Sequence, residues 1–166
     1  TGSTDTGAEA KYLGAHGLIS DDGGHTWQIG FTSSNPTGAI NENETAVAEL
    51  PDGRLYVNCR DQYGTAAGTR ADAWSADGGS TLQSAFRVQG TIVTPVVHGS
   101  LLQVPGGPLL YAGPDHPEGR IAMVIRRSDN GGVTWRVCRK ISGLHAAYSS
   151  MTMLDAATVG LLYETG

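Results

Sequence analysis

Few side chains in this chain have both the type and the spacing that chemistry requires. The five histidines are scattered without the short intervals of metal ligands, so we expect no metal site. The Gly-Gly pairs all fall in predicted turns, which leaves no credible phosphate-binding loop. Glu44 and Arg60 lie sixteen residues apart, about the reach of a β-hairpin, and could meet across it. Taken singly, each is better explained as a solvated charge.

The elements that would position such residues are predicted to be β-strands. Of 166 residues, 24 are glycine, and short runs of Val, Ile, Leu and Tyr are bounded by Gly, Pro, Asp and Asn. Hairpins are predicted around Pro51-Asp52-Gly53 and around Pro105-Gly106-Gly107. Further strands are predicted over residues 12–20, 71–75, 120–128, 136–140, 149–154 and 159–163. The chain is therefore expected to be all-β, with no linker that divides it.

Composition excludes several classes of function. A formal net charge of −5 argues against binding to nucleic acid. No apolar run reaches the roughly 18 residues of a membrane span, and no targeting segment is visible. Two cysteines cannot build a disulfide scaffold, although a single Cys59–Cys138 bridge remains open. We expect no cofactor.

One turn motif occurs three times, at intervals of a little over 50 residues, and it has the pattern Ser-x-Asp/Asn-x-Gly-x-Thr-Trp in its two strongest copies. Its Asp or Asn can accept hydrogen bonds from turn amides, and its glycines supply positive φ angles. Trp27 and Trp135 are expected to pack beneath their turns. We interpret the motif as a structural staple. Its copies span residues 20–27, 75–82 and 128–135.

This motif resembles the Asp-box of the sialidases, which repeats on the four-stranded blades of a six-bladed β-propeller. A repeat of about 50 residues agrees with one blade. The resemblance implies that residues 1–166 form a partial sialidase-type propeller domain and supply about three four-stranded blades. The chain would then be the C-terminal half of a catalytic domain, and the missing N-terminal half would be its partner.

Further segments resemble sialidase catalytic motifs and occur in the family order, so that the resemblance extends from Tyr12 to the C-terminus. They comprise a glutamate strand, two arginine segments, a tyrosine strand and a closing Gly-Leu-Leu-Tyr-Glu strand. Their residues are 41–45, 58–61, 116–120, 148–152 and 160–164.

The resemblance implies that two arginines of this chain bind the carboxylate of sialic acid. Arg60 and Arg120 would bind it, because guanidinium groups are always charged and match a carboxylate with two parallel donors. Asn58, two residues before Arg60 and on the same strand face, is a weaker candidate for substrate binding. The other arginines lack motif context and are expected at the surface; they are Arg54, Arg70, Arg87, Arg126, Arg127, Arg136 and Arg139.

The resemblance also assigns the catalytic pair. Tyr148 would be the nucleophile, since a neutral phenol avoids the repulsion that a carboxylate would meet at the anomeric carbon of sialic acid. An ordinary tyrosine has a pKa of about 10, so it needs a base, and Glu44 is the predicted one. Glu164 would hold the first arginine of the family triad, in a supporting position.

Two parts of the family site have no match in this sequence, namely an Arg-Ile-Pro-like motif and the acid/base aspartate that follows it. Asp5 lies too close to Thr1 to fill that role, so we expect both groups on another part of the propeller. The predicted function is a retaining exo-α-sialidase that removes terminal α-linked sialic acids from glycoconjugates through a tyrosyl–enzyme intermediate.

Three alternatives stay open at this point. A trans-sialidase would use the same residues with a sugar acceptor in place of water. A non-catalytic Asp-box module would bind glycans or proteins, and a structural fragment would be stable only beside its partner half. The substrates of sialidases imply a secreted, extracytoplasmic or lysosomal location.

Overall fold

The structure, a computed structural model, describes residues 14–33 and 38–166. Every helix or strand in this part of the chain is a β-strand, which confirms the all-β prediction. The strands are β1 (His16–Ile19), β2 (Gln28–Thr32), β3 (Glu42–Glu49), β4 (Leu55–Asp61), β5 (Arg70–Ser75), β6 (Arg87–Val88), β7 (Ser100–Gln103), β8 (Leu109–Pro114), β9 (Met123–Ser128), β10 (Arg136–Lys140), β11 (Ser149–Met153) and β12 (Val159–Tyr163).

The strands form four antiparallel sheets, in which sequence neighbours are also sheet neighbours. Strands β3 to β6 form one four-stranded sheet and β7 to β10 another, whereas β1–β2 and β11–β12 are two-stranded. The twelve strands thus amount to the predicted three blades of a partial propeller. They are distributed as two whole blades flanked by two half blades.

The second and third Asp-boxes join the third strand of a four-stranded sheet to the fourth, and the first box joins β1 to β2. In the second box, the amide and hydroxyl of Thr81 donate to the Asp77 carboxylate at 2.9 and 2.6 Å. Those hydrogen bonds lower the pKa of Asp77 to about 2. In the third box Asn130 takes the same place, accepting from the Thr134 amide at 3.0 Å and donating to its hydroxyl at 2.9 Å. The turn therefore works with a charged or a neutral acceptor.

The tryptophans of the boxes differ in burial. Trp135 is 7% exposed and packs against Tyr56 and Tyr111 in the cluster between the two whole blades. Trp27 is 62% exposed, although its indole N–H donates to a carbonyl of its own turn as that of Trp135 does. The prediction of packing beneath the turn is therefore wrong for Trp27, because no comparable aromatic cluster surrounds the first box in the part of the chain described.

Apolar clusters between successive sheets hold the blades together. Phe31 of β2 packs with Val57 and Cys59 of β4, and Met151 of β11 packs with Met123 of β9. Cys59 is buried and Cys138 exposed, and both are free thiols, so the structure contains no bridge between them. Among the residues described, no helix is long and apolar enough to cross a membrane.

Two predictions fall partly or wholly outside the described residues. Asp5 lies there, and so do the first residues of the strand predicted over 12–20, of which the structure describes His16–Ile19 as β1. The first strand of the hairpin around Pro51-Asp52-Gly53 is β3; it begins at Glu42 and therefore carries Glu44 within the sheet.

Candidate active site

Glu44 and Arg60 lie side by side because of a bulge in the β3–β4 pair. Glu42 is paired with Asp61 and Thr45 with Cys59, so two residues of β3 lie opposite Arg60 alone. A bulge of this kind bends a strand and redirects a side chain. At this bulge the Glu44 carboxylate is turned towards the Arg60 guanidinium, and Arg60 Nη1 donates to Glu44 Oε2 at 2.7 Å.

Tyr148 completes this cluster from a distant part of the chain, immediately before β11. Its hydroxyl donates to Glu44 Oε1 at 2.9 Å and accepts from Arg60 Nη1 at 3.4 Å. The phenol proton therefore points at a carboxylate, and a cation lies beside the oxygen that would become negative. A carboxylate and a guanidinium arranged in this way can take up the proton and stabilise a developing phenolate.

The electrostatic environment keeps Glu44 ionised. Burial by itself raises the pKa of this carboxyl, but hydrogen bonds from Arg60 and Tyr148 and the charge of Arg60 together outweigh it. The net effect is a pKa below the ordinary glutamate range. Glu44 is consequently a carboxylate at neutral pH, the form that a proton acceptor requires.

Glu164 fixes the backbone of Tyr148. The Tyr148 amide donates to Glu164 Oε2 at 3.2 Å, and the Glu164 amide donates to the Tyr148 carbonyl at 3.0 Å. The arginine that Glu164 is predicted to hold has no match in this chain, so that role remains a prediction. The residue nevertheless lies directly beside the predicted nucleophile.

Arg120 joins the site from the loop between β8 and β9. Its Cζ lies 5.6 Å from the centroid of the Tyr148 ring, and Nη2 donates to the Val96 carbonyl at 3.3 Å. Within the described residues, no carboxylate forms an ion pair with it. Its positive charge is therefore available to an anionic ligand beside Tyr148.

Asn58 has a position that the sequence did not predict. It is fully buried, its amide nitrogen donates to Tyr56 Oη at 3.1 Å, and its oxygen accepts from Arg70 Nε at 2.8 Å. A side chain with no exposed surface and with both polar atoms engaged does not contact a substrate. The predicted substrate contact is therefore wrong, and Asn58 instead orients Arg70.

Two arginines expected at the surface are buried. Arg70 is 1% and Arg126 is 2% exposed, and the two guanidinium groups lie 5.3 and 6.0 Å from the ring centroid of Tyr111. Both donate to backbone carbonyls, Arg70 Nη1 to Val97 at 3.0 Å and Arg126 Nη2 to Val93 at 2.5 Å. The charge of Arg126 is also paired with Asp115 at 2.6 Å. Both arginines thus hold the connection between β6 and β7.

A pocket of about 410 Å³ opens beside Tyr148 and is lined almost entirely by apolar atoms; His98, Leu162 and Tyr163 contribute to it. A larger pocket of about 510 Å³ lies between β2 and the second Asp-box, but no titratable side chain lines it. His98 belongs to the first pocket, and no motif in the sequence singled it out. Among the described residues, no group of three potential ligands could hold a metal ion.

Comparison with known proteins gives the family. The model of the BNR repeat-like domain matches residues 6–161. A sialidase of Bacteroides fragilis is 31% identical over 159 residues, which cover 89% of this chain and 28% of that protein.

Solved structures agree with this relationship. A Hadza microbial sialidase has a TM-score of 0.71 at 34% identity, with coverage of 89% of this chain and 29% of that one. The intramolecular trans-sialidase from Ruminococcus gnavus, in complex with oseltamivir carboxylate, has a TM-score of 0.68 at 27% identity, with coverage of 89% and 33%. The chain thus spans no more than about a third of the length of these relatives. It belongs to the BNR repeat-like domain family and is related to the sialidases.

Proposed function

We propose that this chain supplies the nucleophile half of a retaining exo-α-sialidase site that acts on terminal α-linked sialic acids of glycoconjugates. The observation that carries the proposal is the contact of Tyr148 Oη with Glu44 at 2.9 Å and with Arg60 at 3.4 Å. A tyrosine paired with a carboxylate and a cation is the arrangement that a phenol nucleophile needs. The kinship with sialidases supports the same assignment.

In the proposed first step, Tyr148 Oη forms a bond to the anomeric carbon while its proton passes to Glu44. The bond from that carbon to the leaving-group oxygen breaks, and that oxygen takes a proton from an acid on another part of the propeller. Water then attacks the same carbon and gives a proton back to that acid, the bond to Oη breaks, and Glu44 returns the phenol proton to Oη. Arg60 and Arg120 hold the carboxylate of the sugar throughout.

A trans-sialidase is the second candidate, favoured by the structural similarity to the intramolecular trans-sialidase from Ruminococcus gnavus. The tyrosyl–enzyme intermediate would be the same, and a sugar hydroxyl would attack it in place of water. Product analysis separates the two candidates, because a hydrolase releases free sialic acid whereas a transferase forms a new sialoside or an anhydro sugar.

The rest of the propeller is the proposed partner of this chain, and a location outside the cytosol follows from the proposed substrates. The test is turnover of a fluorogenic α-sialoside by the complete protein, alongside Tyr148→Phe and Glu44→Ala variants. We expect activity in the wild type and its loss in both variants. Unimpaired variants would contradict the assignment of these residues, and an inactive wild type would favour a non-catalytic module that binds glycans or proteins.

A further inference from the structure

His98 lies against the proposed nucleophile. The centroids of the His98 and Tyr148 rings are 6.3 Å apart, and the ring planes are inclined by only 27°, so the two rings are stacked. His98 comes from the connection between β6 and β7, a different element from those that carry Glu44 and Arg60. A third part of the chain therefore contacts Tyr148, and it does so through a planar side chain.

The backbone on both sides of His98 is held in place. Before it, the Val97 carbonyl accepts a hydrogen bond from Arg70 Nη1 at 3.0 Å, and Asn58 orients that guanidinium. After it, Gly99 passes so close to Tyr111 that a Cβ there would lie 2.2 Å from the phenol oxygen. The backbone that carries the imidazole cannot move away from Tyr148 without disturbing these buried contacts.

The ring is neutral at neutral pH. Burial lowers the pKa of His98, and the positive charges of Arg70 and Arg60 act in the same direction, while the nearby charge of Glu44 opposes them. Nδ1 is buried and has no hydrogen-bond partner among the residues that the structure describes. A neutral ring restricts the tyrosine sterically without adding a charge that would compete for the Glu44 carboxylate.

We propose that His98 is a positioning residue, whose planar ring restricts the Tyr148 side chain so that Oη stays on Glu44 Oε1. This role rests on the proposed function. His98 takes no proton and forms no bond in the reaction; it limits the orientations of the phenol before attack. Correct orientation of a reacting group can contribute substantially to rate, and a displacement of about 1 Å can cost a factor of about 10².

The test compares steady-state kinetics of the complete protein and its variants with a fluorogenic α-sialoside. We expect His98→Ala to lower kcat by about 10- to 100-fold, with KM within about threefold of the wild type, since the arginines that bind the carboxylate are untouched. His98→Phe, which keeps a planar ring, should recover most of kcat. His25→Ala is the matched control, because His25 is an exposed residue of an Asp-box turn, and it should leave both constants unchanged.

Thermal unfolding of each variant shows whether it is folded. If His98→Ala does not fold, His98→Leu, which keeps volume without a planar ring, replaces it with the same expected loss of kcat. An unchanged kcat in the Ala or Leu variant of an active enzyme would overturn the positioning role alone. Activity retained by His98→Gln but lost by His98→Phe would also overturn it, in favour of a hydrogen-bonding role. A wild type without turnover would overturn the proposed function together with it.

Discussion

Replacement of Glu44 by glutamine removes the proposed base while it preserves the size of the side chain. Glu44 accepts hydrogen bonds from Tyr148 Oη at 2.9 Å and from Arg60 Nη1 at 2.7 Å, and an amide oxygen can accept a hydrogen bond but cannot take up the phenol proton. General base catalysis contributes a factor of about 10² to 10⁴. We therefore expect kcat for a fluorogenic α-sialoside to fall by that factor, which corresponds to about 3–5 kcal/mol of transition-state stabilisation.

The same substitution also affects stability, and by less. The Arg60 side chain is 12% exposed, and its anionic partner would become a neutral amide. We expect the free energy of unfolding to fall by about 1–3 kcal/mol, the cost of depriving a buried donor of its acceptor. Thermal unfolding measures that cost separately from the kinetics. Glu49→Gln, at an exposed position on the same strand, is the matched control and should leave both kcat and stability unchanged.

A folded Glu44→Gln protein with kcat close to that of the wild type would refute the reasoning, because no other carboxylate of the described residues hydrogen-bonds to Tyr148 Oη. A rise in KM with kcat unchanged would also contradict the proposed role of Glu44. It would mean that Glu44 orients Arg60 for substrate and takes no part in activating the phenol.

Two further predictions concern stability. Asp77→Asn should keep the Asp-box intact at neutral pH, as Asn130 does in the third box, whereas Asp77→Ala should lower the midpoint of thermal unfolding. Because the pKa of Asp77 is lowered to about 2, its contribution to folding stability is fully present above about pH 4 and is lost as pH falls through 2. Asp77→Asn should remove this acid-sensitive part of the stability, which thermal unfolding at a series of pH values would measure. For Glu42, burial raises the pKa of the carboxyl, and the charge of Asp61 raises it further. The contribution of Glu42 to stability is therefore fully present below the pKa of the unfolded state and is lost as pH rises through the pKa of the folded state. Glu42→Gln should therefore exceed the wild type in stability at pH 8, as measured by denaturant unfolding, and an identical pH dependence would contradict this.

The repeats and turns made most of the fold predictable from the sequence. Each Asp-box is a local structure that its own residues stabilise, and its near-constant spacing sets the length of a blade. The hairpin at Pro51-Asp52-Gly53 is equally local, with Gly53 at a φ of 81°. Strands β2 and β6 were not predicted, because Gln28–Thr32 offers only two apolar side chains, Ile29 and Phe31, separated by a glycine, and β6 has only two residues.

Burial of polar side chains could not be predicted, because it depends on contacts distant in sequence. Arg70 and Arg126 donate hydrogen bonds to carbonyls 27 and 33 residues away, and no local pattern marks those carbonyls as acceptors. Asn58 was assigned from strand alternation, which gives the face of a strand but not whether another blade covers it. His98 carries no motif, and only the meeting of three separate elements brings it to Tyr148.

The most direct test of the central claim is to locate the covalent intermediate. The complete protein would be incubated with a fluorinated sialosyl fluoride, from which the enzyme nucleophile displaces fluoride to form a slowly hydrolysed adduct, and the labelled peptide would be identified by mass spectrometry. The account predicts a sialosyl adduct on Tyr148, absent in Tyr148→Phe. An adduct on another residue, or none on an enzyme that turns over its substrate with retention, would contradict it.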